Sequence, residues 1–248
     1  MPAAPYLVTP KRRLADPARL AALADWLGAP LPPGYAEHVT ELGAGLYDGR
    51  LIVWLPDEIM AATADEQAFV REWFDELWEE EDDLRLDEAA RAVPFGQTID
   101  GDKVFYSPAR AALFVLPRHD DRAYWMPRGF ADPLDWGPHA PPPPSPAWRS
   151  FDSGLDRVTL ELFTAQSLAL ADVIACVERQ APAAHRQDAA WGAVLYVPAL
   201  HGRVQLTQAP GDTRVRVRID HDVALEALAR ALQADLEAMG FFSVGTAR

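Results

Sequence analysis

The residues with most chemistry in them are carboxylates. Glu72, Asp75, Glu76, Glu79, Glu80, Glu81, Asp82 and Asp83 crowd one short stretch, and Asp65 to Arg91 as a whole holds twelve acidic residues against Arg71, Arg85 and Arg91. Acids spaced three and four residues apart on a helix repel by a few tenths of a kcal/mol per pair. Near a helix C-terminus, negative charge also opposes the helix dipole. Such a row is either a solvated helix face or a surface kept acidic to meet a basic macromolecule. The local cost of the arrangement favours asking what it is for.

Other reactive side chains are scattered. His38, His119, His139, His185, His201 and His221 form no pair at helical spacing, and the chain has no Gly-rich phosphate loop, no His-Glu-x-x-His and no Gly-x-Ser-x-Gly. Asp100 and Asp102 flank a glycine and read as turn formers, and the loop His119-Asp120-Asp121 lacks the further ligands of a metal site. Cys176 is the only cysteine and falls in the apolar stripe of a predicted helix, as a buried thiol would. Neither catalytic residues, cofactor nor metal is expected. Arg214, Arg216 and Arg218 alternate with Val215, Val217 and Ile219. That alternation is a strand signal, and the arginine row serves cross-strand ion pairs, docks on the acidic helix or meets an anionic ligand.

The chain is 248 residues long, 49% hydrophobic, with net charge −14. Residues 1–140 carry −12 and residues 141–248 carry −2. So acidic a first half argues against nucleic acid or an anionic membrane as partner, and suits a basic protein. No run of about 18 apolar residues occurs, so a cytoplasmic protein is expected. Its oligomeric state is left open.

Several elements must position these residues. Asp16-Pro17 reads as an N-cap and first helical position, with Leu20, Leu23, Trp26 and Leu27 as the apolar stripe and Gly28 as the stop. Leu31-Pro32-Pro33-Gly34 opens a second helix through Leu42, and Gly43 and Gly45 turn the chain into the strand Leu51–Leu55, expected to be covered on both faces. From about Asp57 to Ala92 the pattern is helical. Phe69, Val70, Trp73, Phe74, Leu77 and Trp78 are its core face and the acids its outer one. As a single helix, Asp65 to Asp83 would present a charged rod of roughly 28 Å.

A hairpin follows, Thr98-Ile99 to Lys103–Tyr106 about Asp100-Gly101, then a strand over Ala112–Leu116, and then Tyr124-Trp125 and the stretch Phe130–Trp136. Residues 137–147, GPHAPPPPSPA, read as a semi-rigid linker. Beyond it the pattern is a strand over Val158–Phe163, a helix over Gln166–Arg179, strands over Ala193–Val197, Arg203–Thr207 and Arg214–Ile219, and a helix with Leu225, Leu228, Leu232, Leu236 and Met239 that stops at Gly240.

Two blocks, "LPPGYAEHVTELGAGLYDGRLIVW" and "VPFGQTIDGDKVFYSPARAALFVLPRHDDRAYWMPRGFADPLDW", together resemble the SUKH superfamily. These are domains similar to the fungal cell-wall-synthesis regulator and to many bacterial immunity proteins. The resemblance covers roughly residues 14–136. Where many members carry Asn-Gly at the first glycine turn, this chain has Gly43-Ala44-Gly45. The expected class is α+β: a SUKH-like mixed α/β-sheet domain at 14–136, the linker at 137–147 and a small β-α-β-β-β-α domain at 148–248.

The resemblance implies a non-catalytic immunity protein that neutralises a cognate toxin, with Glu72, Asp75, Glu76, Glu79, Glu80, Glu81, Asp82 and Asp83 as the partner-binding residues. A basic, nucleic-acid-targeting toxin would suit them. One alternative is a regulator or scaffold of the same superfamily without a toxin partner. Another is a small-ligand-binding protein or an enzyme with a site between the domains.

Overall fold

The computed structural model describes residues 4–78, 84–136 and 148–247. The fold is α+β, with one eight-stranded and one six-stranded sheet. The chain divides into two compact units, the first Met1–Tyr6 with Arg12–Ser153 and the second Leu7–Lys11 with Gly154–Arg248. The expected linker, residues 137–147, lies outside the described residues.

In the first unit, α1 (Pro17–Leu27) starts where Asp16 accepts the Ala18 N–H and stops where Gly28 turns left-handed. Leu20 and Leu23 are buried, whereas Trp26, expected in the stripe, is exposed. Helix α2 (Tyr35–Glu41) follows the Leu-Pro-Pro-Gly turn. Tyr35 anchors it: the ring is buried against Phe95 and Phe130, with centroids at 4.8 and 5.4 Å, and its hydroxyl donates to the Trp54 carbonyl at 2.8 Å. At Gly43 (φ 86°) a side chain would run into the backbone of Arg13, and Ala44 bridges to Arg13. No asparagine is needed for this turn.

The strands are β1 (Tyr6–Leu7), β2 (Gly45–Tyr47), β3 (Leu51–Val53), β4 (Val93–Thr98), β5 (Lys103–Ser107), β6 (Ala112–Leu116), β7 (Tyr124–Met126) and β8 (Ser150–Asp152). Their order is β1-β8-β2-β3-β4-β5-β6-β7, with β2 through β7 an antiparallel meander. The first unit thus reaches Ser153, past the end of the SUKH-like pattern at Trp136, because Phe151 and Asp152 pair with Tyr47 and Leu46. Strand β3 is shorter than expected and buries only alternate residues, Leu51 and Val53. Pro56 at the first position of the next helix accounts for its end.

That helix, α3 (Pro56–Leu77), packs on β4 and against α1. Glu58 accepts the Leu55 N–H at 2.8 Å, and Ile59, Thr63, Val70 and Phe74 form its buried row. Below it Val70, Phe74, Trp78, Leu84, Phe105, Phe114 and Leu116 make one core, closed by the short helix α4 (Leu86–Ala89).

The second unit is an antiparallel sheet of β9 (Arg157–Thr164), β10 (His185–Ala189), β11 (Gly192–Val197), β12 (Gly202–Gln208), β13 (Val215–Asp222) and β14 (Phe241–Ala247), ordered β10-β11-β12-β13-β9-β14. Two helices, α5 (Leu170–Gln180) and α6 (Glu226–Ala238), join one face through Val173, Ile174, Val177, Ala229, Leu232 and Leu236, with Cys176 buried there. Two edge strands, β10 and β14, are added to the expected β-α-β-β-β-α order.

Candidate protein-binding surface

The acidic stretch is positioned by how α3 ends. The helix stops at Leu77, so the expected rod to Asp83 is not one helix. Trp78 turns extended (φ −135°), buries its ring against Phe74 and Phe69, and donates its indole N–H to the Pro117 carbonyl at 2.7 Å. A buried indole needs such an acceptor, and this one lies outside the helix axis. The helical conformation therefore ends at Trp78. Glu79, Glu80, Glu81, Asp82 and Asp83 lie outside the described residues, between two buried anchors, Trp78 and Leu84.

Glu72, Asp75 and Glu76 are exposed on the last turns of α3. Among the described residues none of the three enters an ion pair, and the last turn carries no basic residue. Acids nearer the N-terminus of the same helix differ. Asp57 pairs with Arg19, Glu58 with Arg13 at 2.5 Å and Glu66 with Lys103 at 2.6 Å. Arg71, on the same helix, is drawn aside to Gln67 and the Ala90 carbonyl. Of the acids without an ion pair among the described residues, Asp65 stands mid-helix, and Glu72, Asp75 and Glu76 gather at the C-terminal end, where the dipole makes charge least favourable.

Between these acids stand two apolar side chains that the sequence pattern assigns to the core. Trp73 is 38% exposed and Leu77 43% exposed. They are one turn apart, so they share a face. The buried row runs through Val70 and Phe74, Trp73 lies off it, and Leu77 is the helix's last residue. No signal in the sequence separates these two from Val70 and Phe74, because periodicity reports which residues are apolar and not how far the covering sheet extends.

The remaining candidates have structural partners. Asp102 accepts the Thr98 hydroxyl at 2.8 Å and the Arg118 N–H at 2.9 Å, as a turn former does. Asp120 accepts the Tyr124 hydroxyl at 2.6 Å; that bond holds Asp120 below the usual carboxylate range and pushes the phenol up to about 12. His38 is buried among the rings of Tyr47, Phe130 and Phe151, and burial lowers its imidazole to about 4. Among the described residues no group of three or more His, Cys, Asp or Glu is placed to hold a metal ion.

The arginine row is paired within its own unit: Arg214 with Asp212 at 2.6 Å in the turn before β13, Arg216 with Glu161 at 2.8 Å and Arg218 with Asp220 at 2.9 Å in the sheet. Asp220 is buried, which pushes its carboxyl up. The Thr159 hydroxyl and the guanidinium groups of Arg203 and Arg218 overcome this and hold it below the ordinary value.

No family model, curated protein or solved structure matches this chain. Fold and site define an α+β protein with an acidic, tryptophan-bearing helix end. No helix among the described residues is long and apolar enough to cross a membrane.

Proposed function

We propose that this is a cytoplasmic, non-catalytic protein-binding protein whose contact surface is the C-terminal end of α3. The observation that carries the reading is the pairing of two exposed apolar side chains, Trp73 and Leu77, with three unpaired carboxylates, Glu72, Asp75 and Glu76. Large apolar anchors ringed by charge are what protein interfaces use: the anchors slow dissociation and the charges steer encounter. The excess of carboxylate selects a basic partner. Resemblance to the SUKH superfamily supports a toxin as that partner, neutralised by covering of its basic site.

The test is capture of the partner from the native cell with two variants as bait. Glu72→Lys combined with Glu76→Lys should slow association and remove most of its salt dependence. Trp73→Ala should speed dissociation and weaken binding by about 2 kcal/mol or more. A partner that binds wild type and both variants alike, at low and high salt, overturns the assignment of this surface. A captured toxin whose activity survives complex formation overturns the neutralising role alone.

A further inference from the structure

The helix-free face of the second sheet carries a row of side chains that its strand partners do not account for. Register places Thr207, Arg216, Phe163 and Phe242 side by side across β12, β13, β9 and β14. The Arg216 guanidinium lies 5.2 Å over the Phe163 ring, and the rings of Phe163 and Phe242 are 6.5 Å apart. Arg214 joins them from the turn before β13. Together with Ala209 and Asp212 these residues line a cleft of about 670 Å³, within the range of small-molecule sites. Phe242 stands 50% exposed at its rim.

We propose that this cleft binds a small planar aromatic anion, a carboxylate or a phosphate attached to a flat ring system. The two phenylalanines offer ring faces and edges to a flat ligand. The charge sign follows from the arginines. Arg216 spends Nη2 on Glu161, and its Nε and Nη1 make no ion pair among the described residues; Arg214 spends Nε and Nη2 on Asp212. Both pairs are solvent-exposed, so an incoming anion can share them at little cost. Arg214 holds the Asp212 carboxyl down to about 2, so Asp212 stays ionised and the pair is net neutral; the donors open to an anion are Nε and Nη1 of Arg216. Thr207 supplies a hydroxyl beside the guanidinium. A neutral aromatic would use the rings alone, and an aliphatic anion the arginines alone.

The experiment titrates two acids and their neutral counterparts, 1-naphthoate with 1-naphthamide and adenosine monophosphate with adenosine, into the full chain, following backbone amide resonances of Phe163, Thr207, Arg216 and Phe242. At least one acid is expected to bind below about 1 mM, and its neutral counterpart about tenfold or more weakly, because a charge-assisted hydrogen bond is lost. The naphthoate and nucleotide arms decide between carboxylate and phosphate. Phe242→Ala and Arg216→Gln should each weaken the acid about tenfold, and neither side chain is part of a buried core. Equal affinity for acid and neutral, resonance changes elsewhere in the protein, or no binding of any of the four at about 5 mM would overturn the proposal. Folding of each variant is read from the same spectra.

Discussion

The indole N–H of Trp78 donates to the carbonyl of Pro117 at 2.7 Å, and Trp78 is the residue at which α3 ceases to be helical. The bond thus falls at the end of the longest helix among the described residues. The buried row would carry a helical Trp78 on past Phe74. The bond to Pro117 instead pulls it into the core with Leu84 and Phe114.

Removing that anchor should be felt at a distance. Trp78→Phe loses the bond and should cost about 1 kcal/mol, whereas Trp78→Ala should cost about 3–5 kcal/mol by urea unfolding. Both should weaken partner binding although no carboxylate has changed. If Trp78→Ala proves no more harmful to stability than Trp73→Ala, the anchor is misassigned.

Acids on this chain should respond to neutralisation with opposite signs. Glu76 is unpaired near a helix C-terminus, so Glu76→Gln should leave stability unchanged or raise it by a few tenths of a kcal/mol. Glu88 accepts the Ser107 hydroxyl at 2.8 Å and two N–H groups of Arg110 at 3.0 and 2.8 Å, while Arg110 lies over Trp125. Glu88→Gln should therefore cost about 1–2 kcal/mol. Chemical denaturation of the two variants side by side tests the contrast.

His38 should make the fold acid-sensitive. Its ring is buried, Nε2 has no hydrogen-bond partner among the described residues, and burial lowers the folded-state value to about 4 from 6.5. The unfolded chain therefore binds the proton more readily than the folded one. Stability is full above pH 6.5 and falls as pH drops toward 4, by about 3 kcal/mol from this group. His38→Phe, which keeps an aromatic ring in place, should flatten that part of the pH profile relative to wild type. A variant whose acid limb is unchanged would show that the imidazole titrates normally.

Two glycines with similar backbones should differ in cost. Gly28 (φ 60°) ends α1 in open space, so Gly28→Ala meets only the left-handed strain of about 1 kcal/mol. Gly43 (φ 86°) faces the Arg13 carbonyl, so Gly43→Ala must also displace backbone and should cost distinctly more. Equal melting temperatures for the two variants would contradict this packing.

Where local chemistry decides an element, the sequence is readable. Asp16-Pro17 and Gly28 bound α1 as their capping preferences require, and the Val215-to-Ile219 alternation becomes β13 with its valines buried. Strand β10 shows the opposite case. Its residues His185–Ala189 are polar and carry no periodicity, and they become a strand by pairing with β11 at the sheet edge, where backbone bonding suffices. Strand β14 has a usable signal, the aromatic pair Phe241-Phe242 directly after Gly240. Asp48-Gly49, both at positive φ, likewise mark the turn from β2 to β3.

What the chain determined by itself is the acidity of α3, the helix and strand order around it, and the burial of Cys176, because charge, periodicity and capping act over a few residues. What only tertiary structure decided is which acids keep their charge uncompensated, which aromatics face water and where Phe163 meets Arg216 and Phe242. Those depend on residues far apart in the chain: Lys103 reaches Glu66 while no cation among the described residues pairs with Glu72, and Pro117 captures Trp78 while Trp73 is left outside. Pairing and cover are properties of the partner surface, and a one-dimensional pattern holds no record of which partner arrives.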